Sequence, residues 1–413
     1  MVPPDALQVL ALAHAKGAQD GDYPRIKDYF EEVRTAFVGS DSNYLVRELG
    51  LLDEKGTGAA IRLFYLNGES QAPVHPPSEH DLALALHTLV VIFVTRALTQ
   101  DDACMRGLES LAASVAASSG RHGILVLGTS EEVLRDFRHA AGEAINALQG
   151  RSLEQLGEYA VRPAYVAILT LFKAHQLLLG ATAVEKSDTR APRARFFVSH
   201  AKLDGLPLAY SLCHAIQRMP WLEYFYDAED IQPGEDFRKV LEEGVIESML
   251  LVLRTDIYDL RFWCRQEVMW AEMYDRPVLV VDARTELSSR PTVLGFTGIP
   301  GVRIPDGNLV RVLLEGLREW VRIAVARRRF REIVRDDPKL DQRTEFLGRT
   351  PSATALLAAR ARLLAKGAPP DAVLVHAEPA LESNYLEAAR DVIRSRLPEA
   401  SVVPFKTFLA QLP

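Results

Sequence analysis

The sequence predicts an α/β protein built around parallel sheets, and three observations carry that expectation. Short apolar runs recur along the chain, among them LVVIFVT at 89–95, GILVL at 123–127, MLLVLR at 249–254 and PVLVVD at 277–282. A strand needs apolar residues on both faces when helices cover both sides of its sheet. Segments of helical period separate these runs, the alternation that βαβ crossovers produce. Finally, the alternation occurs twice, divided by the polar stretch AVEKSDTRAPRA at 183–194, which contains Pro192, has no period and reads as a linker.

In the first half, 1–50 has a helical pattern: LQVLALAHA at 7–15, YPRIKDYFEEVRTAF at 23–37 and NYLVRELGLL at 43–52. A strand at 60–66 (AIRLFYL) precedes a loop rich in Gly, Pro and Ser, then a helix over 81–87 and the strand at 89–95. A helix over 105–117 and the strand at 123–127 complete a β-α-β-α-β order, and helices near 130–149, 152–159 and 162–181 close an N-terminal α/β domain, 1–183. After the third strand, Gly128, Thr129 and Ser130 lack the glycine spacing and the lysine of a phosphate cradle, so they read as a helix N-cap.

The second alternation is cleaner. Strands at 195–199 (RFFVS), 223–226 (EYFY), 249–254 and 277–282 interleave with helices over 206–218, 236–247 and 263–274. A short strand within 291–307 and a long helix over 309–335 follow. Five such strands predict a flavodoxin-like sheet, whose ligands lie beyond the carboxyl ends of the strands, here Ser199, His200, Asp227, Arg254 and Asp282. The remainder, 336–413, reads as a helix over 351–366 and a small β-α-β piece with strands at 372–376 and 401–405. Too small to bury itself alone, it is expected to pack on one of the two sheets.

Composition sets further bounds. A length of 413 residues suits about two to three domains. The net charge of −7 gives no global attraction to nucleic acid or anionic membrane. Cys104, Cys213 and Cys264 show neither metal-ligand spacing nor a disulfide framework and suit a reducing cytoplasm. The opening residues lack the basic start of a signal peptide, and 164–183, interrupted by Lys173, His175 and Gln176, reads as a core helix rather than a membrane span. Arg322, Arg327, Arg328, Arg329, Arg331 and Arg335 crowd the end of the long helix, where Arg328 can pair with Glu332; they read as a solvated face, with a nucleic-acid surface as the competing reading.

The stretch from Trp263 to Tyr274 is the most informative. Positions 263, 267, 270 and 274 share one helical face and hold Trp263, Glu267, Trp270 and Tyr274, a lone carboxylate in an aromatic stripe. An ordinary helical glutamate would sit at the stripe's edge with its carboxylate in water.

FFVSH at 196–200, YDAEDIQPGEDF at 226–237 and FWCRQEV at 262–268 together resemble a bacterial-type Toll/interleukin-1 receptor (TIR) domain in order and spacing, over about a third of the chain, 195–330, within a domain drawn at 195–335. The resemblance implies that Glu267 is the catalytic glutamate of a TIR domain that cleaves NAD, and that Phe197, Ser199 and Asp204 line the nucleotide pocket. It implies that the segment from Asp227 to Asp236 is the BB loop, with Asp227 near substrate and with Asp230, Ile231, Pro233 and Gly234 serving assembly between neighbouring TIR domains. Trp263 and Trp270 would be pocket wall or core. Bacterial members usually carry serines where this chain has Arg254, Leu260 and Arg261; a basic group there could hold a substrate phosphate or pair with Glu267.

A single carboxylate suffices for that reaction. An ordinary glycoside needs a second carboxyl group to protonate the leaving oxygen. Nicotinamide leaves from a pyridinium and becomes neutral as the bond breaks, so only the positive charge growing on the ribose has to be stabilised. NAD is then substrate, no cofactor or metal is called for, and the product is ADP-ribose or a cyclic form. The expectation is a cytoplasmic antiphage-type effector that self-associates, with a sensing N-terminal domain answering a co-encoded partner or a nucleotide signal. The competing expectation is a non-catalytic adaptor assembling through the BB loop, with Glu267 in a salt bridge to Arg254 or Arg261.

The segment 89–110 echoes 249–269: buried strand, polar loop, cysteine, helix. Aligning Cys104 with Cys264 puts Gly107 where Glu267 stands. The N-terminal domain is thus either a degenerate, non-catalytic relative or an independent example of a common α/β unit.

Overall fold

A computed structural model describes residues 5–18, 23–38, 59–66, 76–140, 142–146, 148, 150–156, 161–180, 194–226, 236–285, 299–303, 307–377 and 383–412. The chain forms two compact units, one drawn from 1–41 and 56–192, the other including 193–413. The expected linker, the helix at 43–52 and the BB-loop residues Asp227, Asp230, Ile231, Pro233 and Gly234 fall outside the described residues, the linker's last residue, Ala194, excepted.

The first unit contains β1 (Asp5–His14), α1 (Tyr23–Val38), β2 (Ala60–Leu66), α2 (Glu79–Leu82), β3 (Ala85–Val94), α3 (Arg96–Thr99), α4 (Asp102–Ala117), β4 (His122–Gly128), α5 (Glu131–Ala140), α6 (Glu143–Asn146), β5 (Gly150–Ser152) and α7 (Arg162–Leu178). Its sheet runs β2-β1-β3-β4-β5, every pair parallel. The expected helix at 7–15 is instead the inner strand β1. Nine of its ten residues are buried. With both faces covered a strand loses its polar alternation, and its apolar run then imitates a helix face. Gln8, the polar residue within it, donates to Thr88 Oγ1 at 2.9 Å and to the Asp81 carbonyl at 2.6 Å.

Three smaller expectations in this unit are corrected. The helix placed at 81–87 is the single turn α2, and β3 begins at Ala85 because His87 and Thr88 are buried within the strand. The helix placed at 130–149 breaks into α5 and α6, and the described part of the helix placed at 152–159 is the end of β5 and a short 3-10 turn at 153–155. Ser130 does cap α5, its hydroxyl accepting from Val133 N at 3.2 Å. Helix α7 is buried along most of its length, and among the described residues no helix is long and apolar enough to cross a membrane.

The second unit contains β6 (Ala194–His200), α8 (Leu206–Gln217), β7 (Leu222–Phe225), α9 (Phe237–Glu247), β8 (Met249–Arg254), α10 (Phe262–Met273), β9 (Val278–Asp282), β10 (Gly301–Arg303) and α11 (Leu309–Val334). Its sheet runs β10-β9-β8-β6-β7, again all parallel. Numbered within each sheet, both orders are 2-1-3-4-5, so the winding reverses between the first and third strands, where doubly wound sheets leave a crevice at their carboxyl edge. Strand β8 is buried at all six positions, as an inner strand covered on both faces should be.

The C-terminal part adds α12 (Pro338–Arg343), β11 (Thr344–Leu347), α13 (Ala353–Ala365), β12 (Val373–His376), α14 (Ser383–Arg394), β13 (Ser401–Pro404) and α15 (Phe405–Gln411). The expected β-α-β piece is a three-stranded parallel sheet, β11-β12-β13. Strand β11 escapes a sequence reading because TEFL is a short edge strand with polar Thr344 and Glu345. This sheet does not stand alone: α13 packs on α10, and Asp275, just past α10, accepts from Gly348 N at 2.9 Å and from Arg327 on α11 at 2.7 Å. Two arginines of α11 pair locally, Arg322 with Glu319 at 2.6 Å and Arg328 with Glu332 at 3.0 Å, but Arg322, Arg327, Arg328 and Arg329 are half-buried, so the expected solvated face is limited to Arg331 and Arg335.

Candidate functional site

Glu267 comes to the carboxyl edge of the second sheet through three neighbouring elements. Alternation along β6 turns Phe197 and Ser199 to one face. Phe197 is buried and stacked on Phe225 in the core cluster of this unit, centroids 4.8 Å apart. Ser199, two residues on, donates its hydroxyl proton to Glu267 Oε2 and lies 2.5 Å from the Tyr258 hydroxyl. Tyr258 sits in the turn between β8 and α10, is fully buried, and its hydroxyl also reaches the Cys264 carbonyl at 3.3 Å. Burial first, and then the charges of Cys264 and Glu267, hold the Tyr258 phenol well above the ordinary tyrosine range. It is therefore a neutral donor, and since the Ser199 proton is directed to Glu267, the Tyr258 proton can be directed to Ser199. A chain Tyr258 to Ser199 to Glu267 results, which fixes the orientation of the carboxylate.

The surrounding loops are tied down. Cys264 Sγ donates to the His200 carbonyl at 3.4 Å, joining the first turn of α10 to the end of β6. Asp204 accepts from Thr255 Oγ1 at 2.7 Å and from Ile257 N at 3.2 Å, joining the loop after β6 to the loop after β8. Exposed Asp204 thus braces the rim rather than lining the nearest shell of Glu267. Arg254, buried at the end of β8, donates to Asp259 Oδ2 from Nη2 at 2.5 Å and from Nε at 3.2 Å. Asp282, beside it on β9, is chelated by Arg284 and its carboxyl is held below the usual range by Arg284 and Arg254 against the opposing effect of burial. Arg261 is exposed at the N-cap position of α10.

The aromatic stripe divides. Glu267 and Trp270 are 7 % and 2 % exposed, whereas Trp263 is 38 % exposed and Tyr274 40 %. Trp263 packs edge-on to Phe237 and Phe262 with centroids 5.0 and 5.2 Å away, and lies 6.4 Å from Trp270. The helix therefore buries the carboxylate and leaves the indole one turn before it partly at the surface. Sequence reasoning missed Tyr258: DIYDLRFWC has no period that would relate it to Glu267, and its role appears only once the turn folds back over β6. It also passed over the side chain of His200, whose Nδ1 donates to the Val198 carbonyl at 3.1 Å, whose Nε2 has no hydrogen-bond partner among the described residues, and whose ring stacks on Tyr226 at 5.1 Å.

Among the described residues, one group of side chains could bring three metal-ligating atoms together: His14, Asp101 and Cys104, with the atoms within 4.8 Å of one another. Its chemistry fits a metal poorly. Lys16 N donates to His14 Nδ1 at 3.2 Å, which places the imidazole proton on Nε2, directed at Asp101 Oδ2 at 3.2 Å. Burial pushes the Cys104 thiol up to about 11, with Asp101 adding to the effect. Asp101 also caps α4 through Oδ1, accepting from Ala103 N and Cys104 N. The group is a closed hydrogen-bond network that anchors a helix.

No protein-family model matches the chain, and no curated protein matches it. Among solved structures it has a likeness to the apo form of a dinucleotide-forming acetyl-coenzyme A synthetase 1 from Ca. Korarchaeum cryptofilum, at 9 % identity over 79 % of this chain and 68 % of that one. The TM-score is 0.25, too low to argue from.

Proposed function

We propose that the domain around Glu267 is a flavodoxin-like TIR domain that cleaves the nicotinamide-ribose bond of NAD, releasing nicotinamide and ADP-ribose or a cyclic product, when copies of the chain associate. One observation carries this reading: a buried carboxylate at the crevice of a doubly wound sheet, oriented by Ser199, on the same helix face as a partly exposed tryptophan. Glu267 would face the ribose carbon as positive charge develops there, in a setting that water screens weakly. Trp263 offers a face on which the nicotinamide ring can stack. Arg254 is oriented by Asp259, and it supplies a positive charge at the strand ends for a substrate phosphate.

The burial of Glu267 is also what an adaptor with a structural glutamate would show. The two readings separate in one experiment on purified, concentrated full-length protein: following NAD by mass spectrometry in wild type, Glu267→Ala and a BB-loop variant such as Gly234→Arg. The enzyme reading expects loss of cleavage in both variants. NAD untouched by wild type, with loss of partner recruitment in the loop variant alone, would establish the adaptor.

A further inference from the structure

The carboxyl edge of the small C-terminal sheet holds a feature that the reading above does not use. Arg349 follows β11 by two residues and precedes Ser352, the N-cap of the thirteen-residue helix α13. It is 3 % exposed, yet neither Nη1 nor Nη2 has a hydrogen-bond partner among the described residues. A buried guanidinium normally has its nitrogens satisfied, since leaving a buried charge unpaired is strongly unfavourable. The acid near it is Glu272 on α10, whose side chain is hydrogen-bonded to Ser352 and Thr354 instead; burial raises its carboxyl above the usual range and Arg349 opposes that rise. Arg349 therefore stands three residues before the N-cap of α13 with its Nη donors unspent.

A second unpartnered group stands on the same edge. His376 ends β12 in register with Leu347, the last residue of β11, and is wholly buried. Its Nδ1 donates to the Ala377 carbonyl at 2.8 Å, and burial favours the neutral ring, so Nε2 carries a lone pair with no partner among the described residues. The carboxyl ends of β11 and β12 thus hold buried cationic donors and a bare acceptor, near a helix N-terminus whose N–H groups favour anions and one of which, Ala355 N, is already taken by Ser352 Oγ. The complementary ligand carries an anionic oxygen and, next to it, a hydroxyl donor.

We propose that the carboxyl edge of β11 and β12, between Arg349 and His376, binds a sugar phosphate, the chemistry that nucleotides share. Arg349 and the first turn of α13 take the phosphate, and His376 accepts from a sugar hydroxyl. Glu272 opposes the ligand's charge, as does Asp275 at Gly348, and because Glu272 sits on α10 the ligand would be felt by the helix that carries Glu267. Gly348, next to Arg349, strengthens that link through its bond to Asp275.

The test is calorimetric titration of full-length protein with ribose 5-phosphate, AMP, ribose and inorganic phosphate. Ribose 5-phosphate or AMP should bind, and ribose should not. Arg349→Met, which replaces an unpaired buried charge with an apolar chain of similar length and is expected to fold, should weaken binding at least about tenfold. His376→Leu should erase the advantage of ribose 5-phosphate over inorganic phosphate, and Glu272→Gln should tighten binding. Absence of heat with both phosphorylated probes at millimolar concentration, equal binding of ribose, or full binding by a folded Arg349→Met would each overturn the proposal. None of these outcomes depends on NAD cleavage.

Discussion

The two five-stranded sheets have the same winding order, yet among the described residues only the second has a buried glutamate on the helix that follows its third strand. In each, a short turn follows the third strand and leads into a long helix whose third residue is a buried cysteine, Cys104 in α4 and Cys264 in α10. In register with those cysteines, Trp263, Glu267 and Trp270 of α10 correspond to Ala103, Gly107 and Ser110 of α4. A Cβ built on Gly107 would come within 2.6 Å of Pro76 Cγ, so the loop before α2 occupies the space a side chain would need. The partner on the first strand differs as well. Ser199 reaches for Glu267, whereas His14 is committed to Asp101. Strand order creates the crevice, and a few side chains decide whether chemistry is possible in it.

Substitutions can sharpen this contrast. The largest effect is expected at Trp270: truncation to alanine should lower stability by about 3–5 kcal/mol in denaturant unfolding, since it empties core beneath the site. Trp263→Ala, at the rim, should leave stability nearly unchanged while raising KM for NAD. Ser199→Ala should come next, reducing kcat about a hundredfold by freeing the carboxylate, with Tyr258→Phe a milder version of the same loss. Equal activity in Ser199→Ala would remove the orienting role assigned to that hydroxyl. Gly107→Glu imports the missing carboxylate into the first unit and should only destabilise it, by about 1–3 kcal/mol, because Pro76 stands in the way. Cleavage that survived Glu267→Ala once Gly107→Glu was added would show that the first crevice is more capable than its packing suggests.

The smallest effect is on pH dependence. The phenol of Tyr258 is raised above its ordinary value in the folded chain, so at alkaline pH the unfolded chain loses this proton first. Its contribution to stability is present below about pH 10 and declines above it, by at most about 1.4 kcal/mol per pH unit. Tyr258→Phe should flatten that decline in urea titrations between pH 9 and 11, and an unchanged slope would mean that other groups dominate.

Much of the architecture was legible because parallel sheets write themselves as apolar runs between amphipathic helices. The runs ending at Arg254 and Asp282 and the helix carrying Glu267 fall where the pattern puts them. The same rule misled at β1, where ten residues with both faces covered have lost the alternation that separates strand from helix, and it was silent at β11, whose four half-polar residues sit at an edge. The site was less legible. Periodicity brought Glu267 beside Trp263 and Trp270, but Ser199 is 68 residues away, and only the fold brings its hydroxyl to the carboxylate. Tyr258 and Arg349 carried no sequence signal, since both lie in turns and derive their significance from burial.

The most direct test is to incubate concentrated wild-type and Glu267→Gln protein with NAD and measure the products by mass spectrometry, alongside thermal unfolding of both. Wild type should release nicotinamide with ADP-ribose or its cyclic form, and the variant, folded with a similar Tm, should release none. Intact NAD after hours with wild type, or equal cleavage by both proteins, would contradict the role proposed for Glu267.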